Sequence, residues 1–216
     1  MKKIAVILSG CGFKDGAEIT ESVSSLIALG EFGADYECFA PDESFTATNH
    51  RTDDTSGERN IMDEASRISR GKIRPITELK ESDFDGILFP GGYGAALHLS
   101  TWAKEGSSAK LLLSVEKAIK DFHEASKPIG AICISPTLVA KVLGDFNVTV
   151  TIGNDTETAQ EIEKTGANHE DCPVTDYITD RENKVITTPA YMYDEAKPVE
   201  VYTGIKALVK ELVEMA

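Results

Sequence analysis

Three short apolar runs, each followed closely by a turn and a helical pattern, constrain the fold more than any other feature. They occupy residues 4–8, 85–89 and 128–132. Runs this short, in which most residues are apolar, are typical of strands buried on both faces of a sheet. Because strands alternate with helices, we predict an α/β fold with a mainly parallel sheet between two helical layers. Repeats and linkers are absent, so a single domain over 1–216 is the simplest organisation.

Apolar spacing and turn residues place the remaining elements. A polar turn at 180–183 predicts that the two strands around it form a hairpin. The polar, aperiodic segment 42–60 is predicted to be a solvated surface excursion, with a lid or a partner contact as the alternative. The other predicted helices cover 18–29, 62–68, 111–125, 135–143 and 198–215, and the other predicted strands cover 36–39, 148–152, 174–178 and 184–187.

Charge and hydropathy exclude several classes of function. The formal net charge is −14, which repels nucleic-acid backbones and anionic lipid surfaces, so we expect neither nucleic acid nor membrane as a partner. The amino-terminal apolar run stops at Ser9-Gly10 and is too short for a secretory signal. A cytoplasmic location is therefore expected.

The four cysteines are Cys11, Cys38, Cys133 and Cys172, and they are far apart in the sequence. Without a secretory signal, a disulfide framework is not expected, so each is interpreted as a free thiol. Cys133 differs from the others because it follows a buried strand directly and precedes a helix with Pro136 in its first turn.

This strand–Cys133–helix pattern is typical of a nucleophile elbow, where the side chain projects above the carboxyl edge of the sheet. A helix amino terminus favours the thiolate, so we predict a lowered thiol pKa. The alternative is an inert buried cysteine at the end of a strand.

Two further motifs belong with this elbow. Gly91 and Gly92 follow a buried strand, and their N–H groups, with that of Ile134, are candidates for an oxyanion hole. The alternative is a tight turn. Glu18 begins the first helix; it either stabilises the helix dipole or lies over the same sheet edge as a general acid/base.

The histidines give a weaker signal. His169 precedes Cys172 in a His-x-x-Cys pattern, which could be half of a metal site, but no second ligand pair is evident. We therefore predict no metal, and retain His169 as a possible pocket residue.

Together, the segments 7–12, 16–19, 89–96, 133–136 and 187–192 resemble the ElbB-type isoprenoid-biosynthesis glyoxalases, in the PfpI branch of the class I glutamine amidotransferase-like superfamily. The resemblance extends from residue 1 to the last helix. It implies a flavodoxin-like three-layer sandwich, a homodimer, no cofactor, and a small dicarbonyl substrate such as glyoxal. It also implies Cys133 as nucleophile, Glu18 as its acid partner and Gly91-Gly92 as the oxyanion loop.

One departure from the family pattern concerns histidine. Many PfpI-type members have histidine directly after the elbow cysteine, where this chain has Ile134, and residues 187–194 contain no histidine either. An unreactive amide needs such a base, whereas an aldehyde does not. The sequence therefore favours a glutathione-independent glyoxalase that converts glyoxal to glycolate. The alternative is a non-enzymatic redox sensor or isoprenoid-pathway accessory protein that uses the same cysteine.

Overall fold

The computed structural model describes residues 1–216, and a seven-stranded sheet forms its centre. The sheet has the order β10-β11-β7-β6-β1-β2-β5. All neighbouring strands are parallel except the edge pair β10 and β11. Its strands are β1 (Lys3–Ile7), β2 (Asp35–Ala40), β5 (Ile73–Pro75), β6 (Gly86–Phe89), β7 (Ile129–Ile132), β10 (Ile178–Asp180) and β11 (Val185–Thr188).

Helices cover both faces of this sheet, as predicted. Consecutive side chains of β1 enter opposite layers: Ala5 and Ile7 join one hydrophobic cluster, whereas Ile4 and Val6 join the other. The first cluster packs under α3 (Tyr93–Leu97), α5 (Leu113–Glu124), α6 (Pro136–Leu143) and α7 (Thr156–Glu163). The second packs under α1 (Ile19–Glu31), α2 (Ile61–Ala65) and α8 (Pro198–Met215). A short α4 (Trp102–Glu105) follows α3. The three-layer α/β prediction is confirmed.

The segment 42–60 is more ordered than predicted. It forms an antiparallel hairpin of β3 (Ser44–Thr48) and β4 (Thr55–Asn60). Phe45 and Ala47 are buried, and the Thr48 N–H donates to Asp15 at 2.5 Å. The hairpin therefore packs on the loop after β1 instead of extending into solvent. Because only one side of the hairpin is buried, most of its residues are polar, and the sequence pattern did not indicate its strands.

Other predicted boundaries need small corrections. The strand expected at 174–178 begins only at Ile178, although it pairs with β11 as the predicted hairpin. Helix α7, strand β5 and strand β9 (Asn168–His169) have no counterpart among the predicted elements. The strand predicted at 148–152 is present but shorter, as β8 (Thr149–Val150), and it pairs with β9. No helix is both long enough and apolar enough to cross a bilayer.

Candidate functional site

Cys133 lies at a strained turn between β7 and α6. Its backbone φ is 62°, a left-handed conformation that side chains rarely adopt. The Cys133 N–H donates to the Thr188 carbonyl at 2.9 Å, and the Ser135 hydroxyl donates to the Pro90 carbonyl at 2.8 Å. These bonds attach the turn to β11 on one side and to the loop after β6 on the other. The strained turn is the geometry expected of a nucleophile elbow.

Glu21 is the carboxyl group that faces Cys133. It lies in the first turn of α1, is fully buried, and interacts with the thiol. Its Oε2 accepts the Gly91 N–H at 3.0 Å, and its Oε1 accepts the Tyr191 N–H at 3.2 Å. Two separate loops therefore hold both oxygens of this carboxyl group.

Glu18, the predicted acid, has a different place. It is the N-cap of α1, where its side chain accepts the Glu21 N–H at 2.7 Å. This is the helix-stabilising alternative considered from the sequence. Its negative charge still acts on the site, because it contributes to the raised pKa of Glu21. The structure thus brings Glu21, one helical turn further on, to the position proposed for Glu18.

The glycine pair after β6 allows the acid and the thiol to meet. A Cβ atom at Gly91 would lie 2.3 Å from Cβ of Cys133 and 2.5 Å from Oε2 of Glu21. Gly92 has φ 97°, and a Cβ atom there would lie 2.3 Å from the Gly16 carbonyl oxygen. A side chain at Gly91 would overlap the Cys133–Glu21 pair, and one at Gly92 would overlap the backbone of the loop before α1.

The predicted oxyanion donors have separate roles in this arrangement. The Gly91 N–H is already bonded to Glu21, so it is unavailable to a substrate oxygen. The N–H groups of Gly92 and Ile134 instead interact with the Cys133 thiol and favour its charged form. The side chain of Ile134 packs against the hydrophobic core on both sides of the sheet.

Burial dominates the electrostatics of the pair. It raises the pKa of Glu21 to about 8, with the Glu18 charge as the second cause and the N–H donors opposing both. Burial, followed by the Glu21 charge, raises the pKa of Cys133 well above its ordinary value, although the Gly92 and Ile134 N–H groups oppose this. This direction is opposite to the lowered thiol pKa predicted from the sequence, because burial and the Glu21 charge outweigh the N–H groups at the start of the helix.

The site is largely covered. Cys133 is only 7% exposed, so little of the residue is accessible from solvent. The arrangement can nevertheless move a proton, since an acid of raised pKa and a thiol share one pocket lined by backbone N–H donors.

His169 contacts neither Cys133 nor Glu21 by hydrogen bonding. Its Nε2 accepts the Ile152 N–H at 3.3 Å, its Nδ1 lies 3.9 Å from Asp171, and burial lowers its pKa. Cys172 is buried, with burial raising its pKa to about 12. No group of three or more metal-ligating side chains is present in the structure.

The sequence did not reveal Glu21, because the apolar residues of the first helix were expected to mark its buried face. The apolar residues Ile19, Val23 and Ile27 indicated a helix, but they face outward and are 49%, 40% and 51% exposed. The buried face carries Glu21, Ser25 and Ala28 instead. The sequence pattern that could have identified Glu21 is a single carboxylate on the same helical face as small residues.

Known proteins match this chain over its full length. It is 41% identical to the rat ES1 protein homolog, mitochondrial, over 99% of the chain and 84% of the relative. It is 40% identical to the human mitochondrial protein named glutamine amidotransferase-like class 1 domain-containing protein 3, over 99% of the chain and 83% of that relative. A crystal structure of an isoprenoid biosynthesis protein with an amidotransferase-like domain from Ehrlichia chaffeensis superimposes with a TM-score of 0.93 at 35% identity, covering 100% and 99% of the two chains.

The expectation of a cytoplasmic protein is wrong in the light of these relatives, two of which are mitochondrial. That expectation rested on the short apolar run at residues 4–8, which in the structure forms β1 and the residue after it. The family model for the DJ-1/PfpI family matches residues 23–194, which include the elbow, the glycine pair and the Tyr191 turn. With this match and these relatives, the chain belongs to the DJ-1/PfpI family.

Proposed function

We propose that the protein is a glutathione-independent glyoxalase that converts glyoxal and water to glycolate. The observation that carries the proposal is the contact between Cys133 and a fully buried Glu21 whose pKa is about 8. A group with this pKa exchanges its proton near neutral pH, which isomerisation of an aldehyde requires. The low exposure of Cys133 favours a substrate of very few atoms.

The proposed reaction begins with addition of the thiol to one aldehyde carbon. Ionised Glu21 takes the proton from Cys133 as the sulfur–carbon bond forms. It then passes this proton to the former carbonyl oxygen, which becomes the hydroxyl of a thiohemiacetal, and Glu21 is ionised again. The N–H groups of Gly92 and Ile134 lie beside the sulfur, where they can stabilise the developing oxyanion. A charged thiolate is not needed beforehand, because the aldehyde is strongly electrophilic.

Glu21 then transfers a proton between the two carbons. It removes the C–H proton of the thiohemiacetal carbon to give an enediolate, and returns that proton to the neighbouring carbon. The hydroxyl proton moves from the first oxygen to the second, so that the first carbon becomes a thioester carbonyl and the second carries the alcohol. The product is a glycolyl thioester on Cys133. Water hydrolyses this thioester to glycolate and regenerates the thiol, so no oxidant, reductant or cofactor is consumed.

The experiment is to follow glycolate formation from glyoxal by NMR with the wild type, Cys133→Ala, Glu21→Gln and Glu18→Gln. We expect the first two substitutions to abolish turnover. Glu18→Gln keeps an N-cap oxygen and retains most of it. Undiminished activity in Cys133→Ala would reject the proposal.

The raised pKa of Cys133 argues against the alternative of a peroxide sensor, because the thiolate is the form that peroxide oxidises. Mass spectrometry after mild peroxide treatment separates the two functions. Selective sulfinic acid at Cys133 together with negligible glyoxal turnover would favour the sensor.

We also propose that the protein acts as a homodimer. Ile19, Val23 and Ile27 form an exposed apolar stripe along α1. Tyr93 and Phe13 are also exposed, and they are adjacent, since the Tyr93 N–H donates to the Phe13 carbonyl at 2.7 Å. A second copy would bury these side chains and cover the helix that carries Glu21.

A further inference from the structure

A cavity lies away from Cys133, between α5 and α6. Its volume is about 340 Å³, which is in the range of small-molecule pockets. One part of its wall is apolar and is formed by Leu111, Leu113 and Val142. Leu113 is 84% exposed, so its side chain remains available to a bound molecule.

The rest of the wall is cationic. Lys110, Lys120 and Lys141 line the cavity with a single carboxylate, Glu116, and Lys120 neutralises that carboxylate in an ion pair of 2.5 Å. The other two lysines form no ion pair. Lys141 is half-buried, and its Nζ donates to the Ser107 carbonyl at 2.7 Å, which fixes the ammonium group at the cavity.

These two unpaired lysines face the same cavity in a chain with 36 acidic and 22 basic side chains. Helix α5 also begins at the cavity with Leu113, and its N-cap residue Leu112 provides no side-chain cap. The positive end of the helix dipole therefore adds to the lysine charges. The overall charge of −14 repels anions, so an anion that binds here must be held by these local cations.

From this combination we propose that the cavity binds a small organic carboxylate with a hydrocarbon tail, the carboxylate on Lys110 and Lys141 and the tail on Leu111, Leu113 and Val142. The volume accommodates about ten non-hydrogen atoms, since a liquid water molecule occupies ~30 Å³. The proposal is independent of the glyoxalase reaction, because none of these residues contacts Cys133 or Glu21 in the hydrogen bonds of the site.

The probe is sodium octanoate, titrated into the full chain by calorimetry. Acetate has the charge without the tail, and 1-octanol has the tail without the charge. We expect octanoate to bind one site with a dissociation constant of about 0.1–1 mM, and both analogues to bind at least about tenfold more weakly. Octanol binding as tightly as octanoate would overturn the proposal, as would the absence of octanoate binding.

Substitutions in and near the cavity test whether octanoate binds there. Lys110→Gln and Lys141→Gln are each expected to weaken octanoate about fivefold. Leu113→Ser is expected to weaken it by a similar factor while leaving acetate unaffected. Lys117→Gln is the matched control, because Lys117 is also on α5 but pairs with Asp121 and does not line the cavity. Equal weakening by Lys117→Gln and Lys110→Gln would show a general charge effect and reject the site.

Discussion

Glu21 and Cys133 meet across Gly91, whose missing side chain leaves the space in which the carboxyl group approaches the thiol. The acid comes from the first helix, the thiol from the turn after β7, and the glycine from the turn after β6. Three segments separated in sequence thus converge at the carboxyl edge of the sheet, where parallel α/β folds place their sites.

Gly91→Ala is expected to separate this pair. The added methyl group would overlap Cβ of Cys133 and Oε2 of Glu21, so one of them must shift, and we expect a loss of roughly 1–3 kcal/mol of stability and most of the glyoxal turnover. Urea unfolding and glycolate NMR measure the two effects. Gly30→Ala is the control, because its Cβ would meet no atom within 4 Å, and it should leave both unchanged or slightly raise stability. Full activity in Gly91→Ala would contradict the close contact.

The pH dependence of turnover follows from the pKa of Glu21. As a base, this group must be ionised, and its pKa of about 8 leaves most of it protonated at neutral pH. The rate is therefore expected to rise with pH and to level off above about 8, with an apparent pKa that belongs to the coupled Glu21–Cys133 pair. Initial rates between pH 6 and 9.5 test this. A rate that is flat across the range would argue against Glu21 as the base.

Folding stability should have the opposite dependence on pH. Because the pKa of Glu21 is raised from 4.5 to about 8, the folded state holds a proton that the unfolded state releases. The contribution is fully present below about pH 4.5 and is progressively lost as pH rises to about 8. Urea midpoints of wild type and Glu21→Gln at pH 5, 6.5 and 8 isolate it. The difference between the two proteins should shift in favour of the variant as pH rises, and a constant difference would contradict the raised pKa.

Glu18 is expected to matter for the helix more than for the chemistry. Glu18→Ala removes the N-cap acceptor of the Glu21 N–H and should cost about 1 kcal/mol. Glu18→Gln retains an oxygen and should cost less. Either change removes a negative charge beside Glu21, so the pH–rate profile should move to lower pH. Loss of turnover in Glu18→Gln equal to that in Glu21→Gln would restore Glu18 as the acid.

The apolar stripe of α1 predicts the oligomeric state. We expect a dimer by light scattering after gel filtration, and a monomer for Val23→Lys, since a lysine at the centre of the stripe would be desolvated on association. Val199→Lys is the control: Val199 is 65% exposed on α8 and lies outside the stripe. A dimer that persists in Val23→Lys would place the interface elsewhere.

The sequence predicted the sheet well because buried strands must be apolar and short. The elbow at Cys133 and the glycine pair were also visible, since each follows such a strand directly. The assignment of the acid could not come from the same pattern. Glu18 and Glu21 both lie at the start of one helix, and only the orientation of α1 against the sheet decides which of them is buried.

The direction of the thiol pKa shift could not be predicted from the sequence for a related reason. A helix amino terminus and a nearby carboxyl group are local features, whereas desolvation depends on all the segments that close over the sulfur. Of these, the Tyr191 turn lies more than fifty residues from Cys133, and the sequence did not indicate that its N–H group bonds to Glu21. The hairpin at 44–60 was hidden similarly, because its few buried residues, such as Phe45, are scattered among polar ones.

The left-handed backbone at Cys133 has a thermodynamic consequence. A residue with a Cβ atom in that conformation costs the fold about 1–2 kcal/mol that glycine would avoid. Replacing the cysteine with glycine should therefore give a more heat-resistant protein than replacing it with alanine. The native chain therefore has a less stable turn at Cys133 than glycine would give, and this is the position at which the turn carries the thiol.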